Sequence, residues 1–68
     1  MDAITTNLNR LRELQSERAL ALMTPLADEP AYMADLDEEI TVTHAAYVAS
    51  AVTEIASFRS ALGGAQTG

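Results

Sequence analysis

Residues 24–30 read Thr-Pro-Leu-Ala-Asp-Glu-Pro, and this segment decides the fold because it holds both prolines of the chain. Pro25 disfavours helix at the residue before it, so a first helix should end there. Pro30 suits the first turn of a second helix, where the amide that proline lacks would have no helical partner. The segment therefore predicts a short linker at 24–29 between two helices.

Apolar residues recur at helical spacing on both sides of this linker. In the first helix, at about 3–23, one face carries Ile4, Leu8, Leu11, Leu14, Ala21 and Leu22. In the second, at about 30–62, steps of one, three or four residues connect Tyr32, Met33, Leu36, Ile40, His44, Tyr47, Ala51, Ile55, Phe58 and Leu62. The fold class predicted is all-α, an antiparallel two-helix hairpin.

The hairpin is expected to form a single domain over residues 1–62. A short connection makes consecutive helices antiparallel neighbours, with facing residues whose numbers add up to about 53. Gly63-Gly64 is typical of a helix stop, which leaves residues 63–68 as a flexible C-terminal tail.

The second helix contains one segment of poor helix propensity. Three acidic residues are followed by Thr41-Val42-Thr43, whose β-branched side chains lose rotamer freedom in a helix. The helix could therefore be continuous or broken near 38–43, with a separate short helix at 30–38. A β-strand at 40–43 is disfavoured because the helical period runs through it.

A two-helix hairpin cannot enclose a core, and 13 of the 68 residues are alanine. At 1.5 Å per residue the helices would be about 33 and 50 Å long, so the last turns of the longer one would lie uncovered. We therefore expect a homodimer that completes a four-helix bundle, with a bent monomeric hairpin as the alternative. The residues expected to self-associate or dock to another helix are Leu20, Val48, Val52, Ile55, Phe58, Arg59 and Leu62.

Negative charge is concentrated in one stretch of a chain whose net charge is −6. Within twelve residues that contain no base stand Asp28, Glu29, Asp35, Asp37, Glu38 and Glu39. This acidic run is either a binding surface for a partner protein with a basic surface or a solvated face that suits the start of a helix. We expect Arg18 to lie near Asp35 and Glu39. The charge disfavours nucleic acid and anionic membranes as direct partners.

Catalytic and metal-binding patterns are not recognisable. The chain has no cysteine, and His44 is its only histidine, with Asp37 the only carboxylate on the same face. In a symmetric dimer two copies of His44 could meet as a pH-sensitive or metal-binding pair, whereas the simpler interpretation is a packed or edge histidine. We predict no catalytic residue, no cofactor and no metal site, and thus no enzyme.

The predicted function is that of a small acidic protein-interaction module. It would dock to a protein partner and self-associate, in the cytoplasm, because neither a signal-peptide pattern nor a membrane-span pattern is present. One alternative is an inhibitor from a phage or mobile element, of the anti-restriction or anti-CRISPR type, whose carboxylates imitate phosphates. A second alternative is an assembly or scaffold factor.

Overall fold

A computed structural model of the chain describes residues 2–66, and two α-helices account for nearly all of them. Helix α1 spans Ala3–Ala21 and helix α2 spans Pro30–Gln66, with a 3₁₀ turn at Pro25–Asp28 between them. The described residues contain no strand. The prediction of an all-α helical hairpin is confirmed.

An aspartate fixes the start of α1. The backbone of Asp2 is extended, and its Oδ1 accepts a hydrogen bond of 2.7 Å from the amide of Thr5. The carboxylate thereby satisfies one of the amides that the first turn leaves without a helical partner. Its charge also suits the positive end of the helix dipole.

The linker is held by hydrogen bonds within the 3₁₀ turn and at its ends. Thr24 Oγ1 donates to the carbonyl of Ala21 at 2.9 Å and accepts from the amide of Leu26 at 3.2 Å. The carbonyl of Glu29 accepts from the amide of Met33 at 3.1 Å and so begins α2. The second proline stands at the first position of α2, as its missing amide led us to expect.

Helix α2 is continuous through the segment of poor propensity. Thr41 Oγ1 donates to the carbonyl of Asp37, one turn earlier, at 3.0 Å. This bond keeps the threonine hydroxyl paired inside the helix. The alternative of a separate short helix at 30–38 is therefore wrong, and residues 40–43 are helical, as the period of the apolar residues predicted.

The helix stop predicted at Gly63-Gly64 is also wrong, because α2 continues to Gln66. A glycine ends a helix by adopting the left-handed conformation, and no described glycine has a positive φ. Glycine inside a helix costs about 1 kcal/mol relative to alanine but does not forbid the helix. The flexibility of residues 63–68 stays a prediction, and residues 67–68 lie outside the described part of the chain.

The core is one seam between α1 and α2. Its buried apolar residues are Leu11, Leu14, Ala21 and Leu36, and Leu14 is only 1 % exposed. Across the seam, the side-chain amide of Asn7 donates to the carbonyl of Ala46 at 3.3 Å, which confirms the predicted sum of 53 at this point. Leu22, predicted on the packed face, is instead 53 % exposed because it lies at the C-cap, after the last turn of α1.

Helix α1 covers only the first part of α2. With 19 and 37 residues, the helices are about 28 and 55 Å long at 1.5 Å per residue. Asn7, near the start of α1, also reaches Ser50 Oγ at 3.4 Å. Beyond this point every residue from 52 to 63 is exposed. Residues 52–66 of α2 are called the overhang below.

The seam makes a direct prediction for Leu14. Leu14→Ala deletes the most buried side chain, and such a change in a core costs about 2–5 kcal/mol. Because the described chain has one small seam, we expect most of the far-ultraviolet circular dichroism signal of helix to be lost at 25 °C. The control is Gln15→Ala, at the exposed position that follows Leu14, and it should leave the signal unchanged. Full helicity of the Leu14→Ala variant would contradict this account of the core.

The cap at Asp2 predicts a dependence of stability on pH. The hydrogen bond from Thr5 lowers the pKa of the Asp2 carboxyl below its ordinary value of 3.8. A lowered folded-state pKa means that this contribution to stability is present above 3.8 and is lost as the pH falls through the folded-state value. Asp2→Ala should therefore lower the thermal unfolding midpoint at pH 7, whereas the difference between the two chains should shrink as the pH falls below 3.8. A difference that persists unchanged at low pH would exclude the charged cap.

Candidate functional site

An apolar surface lies on α2 and continues past the start of α1. Its members are the predicted docking residues Val48, Val52, Ile55, Phe58 and Leu62, which are exposed by 44 %, 59 %, 55 %, 66 % and 52 %. These five residues are called the overhang surface. Arg59, also predicted, is exposed on the same turns. The predicted set is thus accessible, and all of it except Leu20 belongs to one helix.

Leu20 lies on a different part of the molecule. It is 66 % exposed and lines a groove of about 580 Å³ at the turn of the hairpin. Leu26 from the 3₁₀ turn and Tyr32 from α2 form other parts of this groove. The structure therefore separates Leu20 from the overhang surface, with which the sequence had grouped it. The helical patterns missed the groove because Leu26 belongs to neither helix.

A hydrogen bond between the helices forms one edge of this groove. The hydroxyl of Tyr32 donates to Glu17 Oε2 at 2.8 Å. The bond raises the pKa of the Tyr32 phenol above its ordinary value of 10.0, because it stabilises the protonated form beside a carboxylate. Around neutral pH the tyrosine stays neutral and keeps this link between α1 and α2.

Two residues of the acidic run are paired with arginines of α1. Arg18 Nε donates to Asp37 Oδ1 at 2.7 Å, and an Arg10 guanidinium nitrogen lies 3.0 Å from Glu39 Oε2. The sequence predicted that Arg18 would lie near Asp35 and Glu39. The ion pair with Asp37 replaces that expectation.

The other acidic residues divide into two places. Asp28 and Glu29 lie at the turn of the hairpin and are exposed. Asp35 and Glu38 line a shallow groove of about 340 Å³ on the outer side of α2, together with Glu39, Val42 and Thr43. Neither Asp35 nor Glu38 makes an ion pair with the described residues. Three of the six carboxylates thus share this groove, and their role as a partner-binding surface stays a prediction.

His44 is exposed and is not part of the packed face. Thr43, one residue earlier, is half-buried in the row that continues from Leu36 through Ile40 to Tyr47. Among residues 2–66, no three histidine, aspartate or glutamate side chains lie close enough together to hold a metal ion. A His44 pair across a dimer stays a prediction.

Neither helix, over the described residues, has the length and apolarity needed to cross a membrane. Comparisons of the chain with protein-family models, with curated proteins and with solved structures gave no match.

The cross-helix ion pair predicts a small, salt-sensitive coupling. In a double-mutant cycle of Arg18→Ala and Asp37→Ala, the two side chains should couple by about 0.2–1 kcal/mol, since both are exposed by roughly half. Raising the salt from 0.1 to 1 M shortens the Debye length from about 10 to 3 Å and should remove most of the coupling. A cycle of Arg12→Ala with Asp37→Ala is the control, and equal couplings in both cycles would contradict the assignment.

Proposed function

We propose that this chain is a small acidic, non-enzymatic protein-interaction module of the cytoplasm that docks to a protein partner and self-associates through α2. One observation carries the proposal. The overhang has no covering element among residues 2–66, yet it presents large apolar side chains. A contiguous apolar surface of this kind marks an interface in soluble proteins.

The energy available from covering this surface is large for so small a chain. Complete burial of a valine, leucine, isoleucine or phenylalanine side chain is worth about 1.5–3 kcal/mol. The five residues of the overhang surface lie between 48 and 62 and are each at least 44 % exposed. Part of the gain would offset the loss of translational and side-chain freedom on association. The rest favours association.

The arrangement of the apolar residues suits helix-to-helix docking. Ile55, Phe58 and Leu62 follow one another at steps of three and four residues, the spacing at which an amphipathic helix presents anchors to a groove. Arg59 lies beside them at the rim, where arginine commonly contributes to interfaces. The unpaired carboxylates Asp35 and Glu38 would steer a partner with a basic surface toward the other half of α2.

The acidic groove supports a second candidate function. Three carboxylates, from Asp35, Glu38 and Glu39, line one groove on the outer side of α2. A phage or mobile-element inhibitor that imitates phosphates would use such a row of charges to block a nucleic-acid-binding protein. This candidate ranks below the docking module because Glu39 is already paired with Arg10.

The docking module predicts that Phe58 governs association. Phe58→Ala removes the most exposed side chain of the overhang surface and should raise the dissociation constant at least tenfold, since about 1.4 kcal/mol corresponds to a factor of ten. Sedimentation equilibrium at micromolar concentrations measures the change. Ser57→Ala, at an exposed position on the opposite side of α2, should leave association unchanged.

The two candidate functions differ in their response to salt and charge. If the chain is a docking module, Phe58→Ala should abolish capture of the partner. Capture should persist in 0.5 M salt and in the double variant Asp35→Asn with Glu38→Gln. If the chain is a phosphate mimic, capture should persist with Phe58→Ala. It should be lost in 0.5 M salt and in the double variant. A native chain that is monomeric and captures no partner would contradict both.

A further inference from the structure

The exposed side of α2 carries a heptad pattern in addition to the seam with α1. Positions a, d, a, d and a of this pattern are Val48, Ala51, Ile55, Phe58 and Leu62. A seven-residue apolar repeat is the pattern with which helices pair in a coiled coil, and β-branched residues at a favour two strands. All five positions are on a helix, the three a residues and Phe58 are at least 44 % exposed, and Ala51 is half-buried. The pattern fits a second helix of the same kind.

Two charged residues flank this heptad row on opposite sides. Glu54 precedes Ile55 and occupies position g, and Arg59 follows Phe58 and occupies position e. On a helical projection each lies about 70° from the centre of the row. Both side chains are exposed, and neither makes an ion pair with any described residue. Both charges are therefore available to a partner helix.

The spacing of this pair distinguishes two directions of pairing. In a parallel coiled coil, position g of one helix meets position e of the next heptad on its partner, five residues later. Glu54 and Arg59 are five residues apart, so a parallel, in-register pair would form the Glu54–Arg59 contact twice. An antiparallel pair places position g beside g and position e beside e, so in the register that pairs Ala51 with Leu62 it forms neither Glu54–Arg59 contact. Charge complementarity therefore favours two parallel copies.

The charges on the rest of the chain allow this arrangement. Residues 40–68 contain one acid and one base, so the net charge of −6 arises entirely from residues 1–39. On the helical projection, Asp35, Glu38 and Glu39 point away from the heptad row, by about 120° or more. Asp37 lies on the same side as the row, and Arg18 pairs with it at 2.7 Å. Two copies could therefore approach along residues 48–62 with little repulsion.

We propose that the partner of the overhang surface is a second copy of this chain, bound parallel and in register along residues 48–62, with Glu54 of each copy paired with Arg59 of the other. This inference rests on the proposed function and adds the identity and direction of the partner. In such a dimer both α1 helices lie at the same end, and each overhang covers the other. The direction of pairing follows from one acid and one base.

Cysteine cross-linking of the full chain tests the direction, because the native sequence has no cysteine. In a parallel, in-register dimer, Ala51→Cys and Leu62→Cys should each form a disulfide with its own copy in a glutathione redox buffer, and denaturant should abolish both. Ser60→Cys, at the outward position f, is the matched control and should cross-link no more than it does in denaturant. In an antiparallel dimer only one point along the helix lies beside the same point of the other copy. Two positions eleven residues apart therefore cannot both form disulfides with their own copies. An antiparallel dimer would instead favour the mixed Ala51→Cys with Leu62→Cys disulfide, which would overturn the inference.

Charge reversal supplies an independent readout. Glu54→Arg, or Arg59→Glu, makes both cross-pairs repulsive and should weaken dimerisation about tenfold in sedimentation equilibrium at 0.1 M salt. The double variant Glu54→Arg with Arg59→Glu should restore the native dissociation constant to within about twofold. A dimer that is indifferent to both single reversals would overturn the parallel pairing and leave the proposed function standing. A native chain that stays monomeric would overturn this inference and the self-association in the proposed function, and circular dichroism would verify that each variant folds.

Discussion

The structure depends on a mismatch of length between two helices that pack side by side. Helix α1 has 19 residues and helix α2 has 37. The seam centred on Leu14 and Leu36 therefore closes only the first part of α2. The apolar side chains of the uncovered part of α2 are exposed to water in the hairpin, and burying them against a partner would be favourable. The proposed function follows from this constraint.

Charge and apolar surface are separated along α2. The part that packs on α1 carries the acids, two of which are neutralised by Arg10 and Arg18. The part that extends beyond α1 has no net charge and carries four of the five residues of the overhang surface. Ion pairs at exposed positions contribute little to stability, so the arginines serve mainly to reduce repulsion among the acids.

The sequence was sufficient for the hairpin but not for its details. The two prolines place the linker, and helical spacing places Leu11, Leu14 and Leu36 on the packed faces. His44 was misplaced because the apolar row in the sequence merges two neighbouring faces of α2, of which α1 covers only one. The groove beside Leu20 depends on the path of the 3₁₀ turn, which periodicity does not describe. The end of α2 was misjudged because Gly63 permits a helix stop without imposing one.

The central claim is that a second copy covers the overhang, and hydrogen–deuterium exchange at varied protein concentration tests it most directly. Amides of residues 52–62 should become more protected as the concentration rises through the dissociation constant. Amides around Leu14 should change much less, because their own hairpin already covers them. Protection of residues 52–62 that stays the same across this range, in a chain that remains monomeric, would contradict the account.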